Sequence, residues 1–279
     1  MSSDTNKQSL LHAETLSSED SWTTIGSHRN ARISPLISGS IALFITIITY
    51  GVFRFFPENR VVQSFTERGP TPIAVVFLFY WSWVILSWKK RLLFKELSTL
   101  KLEIIPPATE FRITVLNVQG IIDNIYRISE NPSKHTLLNR IHLALFNLQN
   151  LGQISEVSTM LESQSYADES RLETSYSLLK GFVWAMPVLG FIGTVMGLSE
   201  AVSGFGSVLN DTSELAEITD SLTSVTSGLG TAFETTLLAL VAAILVQMRI
   251  TFLRSAEEQF LDDCRNYCMR NVVRRLRLK

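Results

Sequence analysis

The chain has 279 residues, 46% of them apolar and 18% charged, with a formal net charge of −1. That balance leaves no bulk basic excess of the kind that tracks nucleic acid. The two cysteines, Cys264 and Cys268, are too few for a disulfide framework, and His12, His28, His135 and His142 are scattered, so neither a metal site nor a cofactor is expected.

The apolar residues are bunched into four blocks, each near the ~20 residues of helix that cross a ~30 Å hydrocarbon core. The expected class is an all-α integral membrane protein with four transmembrane helices and a cytoplasmic helical segment. Residues 1–35 are polar and Ser/Thr-rich, with no early apolar run of the signal-peptide kind, and read as a cytoplasmic tail. Span one is placed at 36–55, with Arg54 at its end where a long side chain snorkels to the interface. A connection holding Pro57 and Gly69-Pro70-Thr71-Pro72 leads to span two at 72–88, whose second half carries Tyr80, Trp81, Trp83 and Trp88 as an interfacial belt. Spans one and two, residues 36–88, read as a peripheral layer against membrane lipid.

Lys89, Lys90 and Arg91 follow span two at once, so by the positive-inside rule its end faces the cytoplasm. Both termini then lie inside. The basic C-terminal helix at 253–279 agrees. Residues 89–176 read as a cytoplasmic helical segment. Pro106-Pro107 breaks the helix leaving span two, and Phe111, Val115, Val118, Ile121, Ile122 and Ile125 recur at helical spacing. After Asn131-Pro132-Ser133 an amphipathic helix continues through Leu137, Ile141, Leu145 and Leu148. A third helix begins near Ile154 and is expected to run unbroken into span three. Charges of the cytoplasmic segment such as Lys134, Arg140, Glu156, Glu162, Asp168 and Glu169 read mostly as the solvated face of a helical bundle, with a rotor contact as the functional alternative.

Residues 177–252 differ in kind. Span three, 182–204, and span four, 228–250, are rich in Gly, Ala and Thr, and each holds an acid, Glu200 and Glu234. Gly190, Gly193 and Gly197 fall on one face of span three, and Ala239 and Ala243 lie in a similar strip of span four, which suits close helix packing in lipid. Thr194, Thr235 and Thr236 can bond the carbonyl one turn back as neutral passengers. Glu234 is costlier, since a charge in mid-bilayer costs ~3 kcal/mol on insertion scales, so it should face protein or water. Glu200 reads as interfacial. Between the two spans Asp211, Glu214, Glu217 and Asp220 form either an acidic outer mouth that concentrates cations or a plain solvated loop.

The sequence Pro187-x-x-Gly190-x-x-Gly193-Thr194-Val195-x-Gly197, followed by Gly228-Leu229-x-x-Ala232-x-x-x-Thr236-x-x-x-Leu240-Val241-Ala242-Ala243-Ile244, resembles the MotA/TolQ/ExbB proton-channel family. The resemblance implies a homopentamer in the bacterial inner membrane, around a dimeric single-span partner of the MotB/TolR/ExbD type that supplies an ion-carrying aspartate. It implies that Thr194 and Thr236 are the pore threonines, and that Pro187 is the hinge coupling ion flow to mechanical work, by rotation. TolQ and ExbB members carry an acid at the position of Thr231, whereas the acid here is Glu234; the remaining departures are Ala239 for a glycine and Leu245 for a proline. Thr231, Glu234 and Thr235 join the expected pathway. The transported ion, H+ or Na+, stays open, as does the driven machine among motility, envelope maintenance, gliding and defence. No catalytic constellation stands out, so an enzyme is not expected; the alternative is a non-conducting membrane scaffold.

Overall fold

The computed structural model describes residues 34–57, 62, 65–66, 69–102, 104–105, 112–114, 117–151, 154–211 and 215–276. The helices are α1 (Pro35–Phe53), α2 (Thr71–Thr99), α3 (Val118–Ile128), α4 (Thr136–Leu151), α5 (Ile154–Ser175), α6 (Ser177–Asp211) and α7 (Leu215–Asn271). Among the described residues there is no strand, only an isolated bridge between Ile113 and Leu276. Four stretches are long and apolar enough to cross a membrane: Pro35–Phe53, Thr71–Thr99, Ser155–Ser203 and Gly228–Arg275. The protein is an all-α membrane protein.

Chain contacts divide the molecule into two compact units, one containing Ile33–Arg91 and Leu172–Ala256, the other Leu92–Arg171 and Glu257–Lys279. In the first, the membrane unit, Gly69 takes a left-handed φ of 74°, which a side chain would oppose, and turns the chain into α2. Pro70 and Pro72 suit a helix start, where a missing N–H costs nothing. Helix α1 buries Ser38, Ala42 and Thr46 at four-residue steps, one narrow face of small side chains. Trp81 of α2 occupies that face. Its Nε1 donates to Ser38 Oγ at 2.9 Å, and a Cβ on Gly39 would stand 3.2 Å from its ring. The same ring meets Phe182 of α6 at 4.7 Å between centroids. One tryptophan thus joins three spans.

In the second unit, the bundle, α3, α4, α5 and the end of α7 bury Ile121, Ile125, Leu137, Ile141, Leu145, Val157, Leu161 and Phe260. Glu96 ties the start of α4 to α2, since its carboxylate accepts from Thr136 N at 2.9 Å and lies 3.0 Å from His135 Nδ1. Two expectations fail here. Residues 112–114 are not helical: Asn117 accepts from Thr114 N at 2.9 Å and donates to the Arg112 carbonyl, a side-chain turn that delays α3 to Val118. Arg140 and Asp168 are not a solvated face. They form a buried pair, Nη2 to Oδ2 2.9 Å, with side chains 1% and 8% exposed. Lys134, Glu156, Glu162 and Glu169 are exposed as expected.

Two boundaries also moved. Helices α5 and α6 are separated at Tyr176, where the backbone tightens to an i−3 bond from Tyr176 N to the Glu173 carbonyl. The Tyr176 ring is buried, with the Lys89 ammonium 4.2 Å from its centre. Helix α2 ends at Thr99, ahead of Pro106 and Pro107, which lie outside the described residues with Phe111 and Val115.

Candidate ion-pathway site

Helices α6 and α7 approach closely because their facing residues are small. A Cβ built on Gly190 would lie 2.6 Å from the Ala239 methyl, and one on Gly193 would lie 2.7 Å from Thr235 Cγ2. One on Gly197 would lie 3.1 Å from Ala232 Cβ, and one on Gly228 would lie 3.0 Å from Ala201 Cβ. The glycine strip of span three therefore meets an alanine and threonine strip of span four, with Ala232, Ala239 and Ala243 all buried. In lipid no hydrophobic force drives helices together, so contact over a small-residue seam supplies the attraction.

That close approach brings Thr194 and Thr236 together across the seam, with their hydroxyls hydrogen-bonded to each other. Thr236 Oγ1 also reaches the Gly190 carbonyl at 2.9 Å. Thr194 Oγ1 lies 3.2 Å from the same carbonyl and 3.2 Å from the Ala232 carbonyl. Each hydroxyl owns one proton and can accept as well as donate. Two consistent arrangements follow. Thr194 donates to Thr236, which donates to Gly190, or Thr236 donates to Thr194, which donates to Ala232 or Gly190. The pair is a set of hydrogen-bonded hydroxyls that carries no fixed charge, and both residues keep part of their surface uncovered by the chain itself.

Of the other expected pathway residues, Thr235 is 3% exposed, its methyl packed at Gly193 where Thr71 Oγ1 also converges. It belongs to the chain's own packing. Glu234, one residue before, points away from that seam and is exposed, between exposed Phe233 and Leu237. Pro187 lies inside α6, half-buried and two turns before Thr194 on the same face. Having no N–H, it cannot bond the Val183 carbonyl, which leaves a soft point in the helix below the threonine pair.

The acidic residues between the spans sit differently from a loop. Asp211 ends α6, and Glu217 and Asp220 lie within α7, because both helices extend well past the ~20 residues a bilayer needs. Glu214 lies outside the described residues, as do the side chains of Asp211, Glu217, Asp220, Glu200 and Thr231.

One anchor escaped sequence reasoning. Arg249, at the C-terminal end of span four, lies with its guanidinium carbon 3.8 Å from the centre of the Trp83 ring, and its Nη2 donates to Ser87 Oγ at 3.0 Å. The available signal was an arginine inside the last turn of span four, opposite a tryptophan-rich helix end. Among the described residues no group of His, Cys, Asp and Glu has the arrangement to hold a metal ion.

Residues 128–266 match the MotA/TolQ/ExbB proton channel family, a stretch that takes in α4, α5, α6 and most of α7. No curated protein and no solved structure matches the chain.

Proposed function

We propose that this chain, which belongs to the MotA/TolQ/ExbB proton channel family, is the ring-forming subunit of an ion-driven motor. Five copies in the bacterial inner membrane, both termini cytoplasmic, would surround the single-span helices of a MotB/TolR/ExbD-type dimer. Ion flow past α6 and α7 to an aspartate of that partner would be converted to mechanical work, through rotation of one ring past the other. Five-fold and two-fold symmetry cannot both be satisfied at once, so each ion taken up can move the mismatch one step.

The observation that carries this reading is the Thr194–Thr236 hydroxyl pair sharing the Gly190 carbonyl. Both hydroxyls sit mid-span, in helices whose exposed residues beside them include Phe191, Val195, Phe233 and Leu237. A partly open polar pair, with Glu234 exposed on the next residues of the same helix, is costly against hydrocarbon and favourable against an aqueous or carboxylate-lined interior. Pro187, two turns away, supplies the point at which α6 can bend as a partner's charge changes.

The pair's hydroxyl and carbonyl oxygens suit proton transfer by reorientation, and their clustering also offers a sodium ion several oxygen ligands. Reconstitution into liposomes with the partner separates these: a proton motor keeps its flux when the sodium gradient is removed at fixed pH. The test of the whole reading is the same assay on Thr194→Ala and Thr236→Ala. Loss of flux in both is expected. Native flux in both, or purification of the chain with no single-span partner, sinks it.

A further inference from the structure

Arg249 stands near the end of span four, yet its charge is held by span two. Trp83, which lies under the guanidinium, is itself stacked on Phe79 with ring centroids 5.5 Å apart. Ser87 fixes one edge of the fork through Nη2. Among the described residues the contacts of the Arg249 guanidinium are the Trp83 ring and Ser87 Oγ, neither of which carries a charge. A guanidinium held rigidly by uncharged partners at the edge of the hydrocarbon is an unfinished arrangement.

Its surroundings say what completes it. Trp83, Ser87, Lys90 and Arg91 share one face of α2 at three- and four-residue steps, and Lys90 and Arg91 are exposed. On α7, Leu245 and Phe252 flank Arg249 one turn to either side and are 48% and 71% exposed. The cluster therefore has cations at the aqueous end, with the open Leu245 side chain one turn deeper than Arg249 and that of Phe252 one turn nearer the aqueous end. A soluble anion would use only the cations. An amphiphile uses both.

The geometry points to a binding site for an anionic phospholipid between α2 and α7. Arg249 is the fixed anchor for the phosphodiester, Lys90 and Arg91 supply the outer charge, Leu245 and Trp83 bed an acyl chain, and Phe252 borders the headgroup. Guanidinium is the side chain that meets two phosphate oxygens with parallel N–H donors. Basic pockets between spans on the cytoplasmic side are where such headgroups collect. The site requires only that the chain crosses a membrane and does not depend on ion conduction.

Native mass spectrometry of the purified full-length chain, stripped of lipid and supplied with equal phosphatidylglycerol and phosphatidylcholine, tests it. Native protein should retain phosphatidylglycerol several-fold over phosphatidylcholine, and Arg249→Gln should bring that preference close to parity. Should Arg249→Gln fail to fold, Trp83→Leu with Ser87→Ala keeps the charge, removes what fixes it, and should cut the preference several-fold. Equal retention of the two lipids by native protein, or an unchanged preference in the variants, overturns the site. So does loss of the preference on adding millimolar inorganic phosphate, which would assign the cations to a soluble anion. An Arg249→Gln chain that loses its oligomer while keeping the preference overturns it as well, by making Arg249 a contact between copies.

Discussion

Gly190 and Ala239 meet with no space for a side chain between them, since a Cβ on Gly190 would stand 2.6 Å from the Ala239 methyl and 3.2 Å from Thr236 Cα. Neither atom is the end of a flexible group, so only a helix shift can relieve the clash. Gly190→Ala should cost ~1–3 kcal/mol by overpacking and should part Thr194 from Thr236, abolishing flux together with the loss of thermal stability. Gly120→Ala is the control. There a new Cβ on α3 meets nothing within 4 Å, and the change should gain up to ~1 kcal/mol of helix propensity. A Gly190→Ala protein that melts with the native one refutes the tight seam.

The three threonines should separate in function. Thr194→Val keeps the shape and leaves Thr236 bonded to the Gly190 carbonyl at 2.9 Å, so stability should fall by only ~1 kcal/mol. Flux, which needs a hydroxyl at that point, should drop by at least about tenfold, equivalent to ~1.4 kcal/mol of barrier. Thr194→Ser should retain it. Thr235→Val, at a position 3% exposed and packed on Gly193, should conduct like native protein. Liposome flux of the reconstituted complex reads all three, and a conduction defect in Thr235→Val would move that residue back into the pathway.

The spans were legible because lipid demands long apolar runs, and the Gly and Thr spacing carried enough of the contact between α6 and α7 to name Gly190, Thr194 and Thr236. What the spacing did not carry was direction. Thr235 and Thr236 are adjacent, so one must point a third of a turn from the other, and only the packed helices reveal which faces Gly193 and which faces Thr194. Buried charge was illegible for a related reason. Arg140 and Asp168 look like any polar residues on an amphipathic helix, and their burial depends on a partner 28 positions away. Asn117 likewise outweighs an apolar period that would start α3 earlier, through a hydrogen bond that hydrophobic spacing does not encode.

The Arg140–Asp168 pair should respond asymmetrically to substitution. Arg140 donates to Asp168 Oδ2 through Nε at 3.0 Å, its Nη2 stands 2.9 Å from the same oxygen as an ion contact, and its Nη1 donates to the Leu261 carbonyl at 3.4 Å, so one side chain joins α4, α5 and α7. Removing one partner leaves the other charge buried. Arg140→Met or Asp168→Leu alone should therefore cost ~3–5 kcal/mol, while the double substitution should recover most of it. Denaturant unfolding of the four proteins gives the cycle. Additive losses would mean that the two charges are not coupled in the folded protein.

Cys264 and Cys268 lie one turn apart on the buried face of α7, 0% and 2% exposed. Burial pushes the Cys268 thiol from 9.0 up to about 12, against the opposing pull of the Arg140 guanidinium. Cys264 is pushed up as well, by burial first and again against Arg140. Both should be protonated at about pH 8, where a free cysteine is already partly thiolate, and iodoacetamide should label neither until the protein is unfolded. Raised values mean that the folded state holds these protons more tightly than the unfolded chain. The stability they contribute is complete below the ordinary value of 9.0 and is lost as pH rises through about 12 for Cys268. The thermal midpoint should accordingly decline across that alkaline window, and decline less in Cys264→Ala/Cys268→Ala, which has no thiol to ionise. Rapid labelling of the folded protein at about pH 8 would show that this face of α7 is open to water and not packed in the bundle.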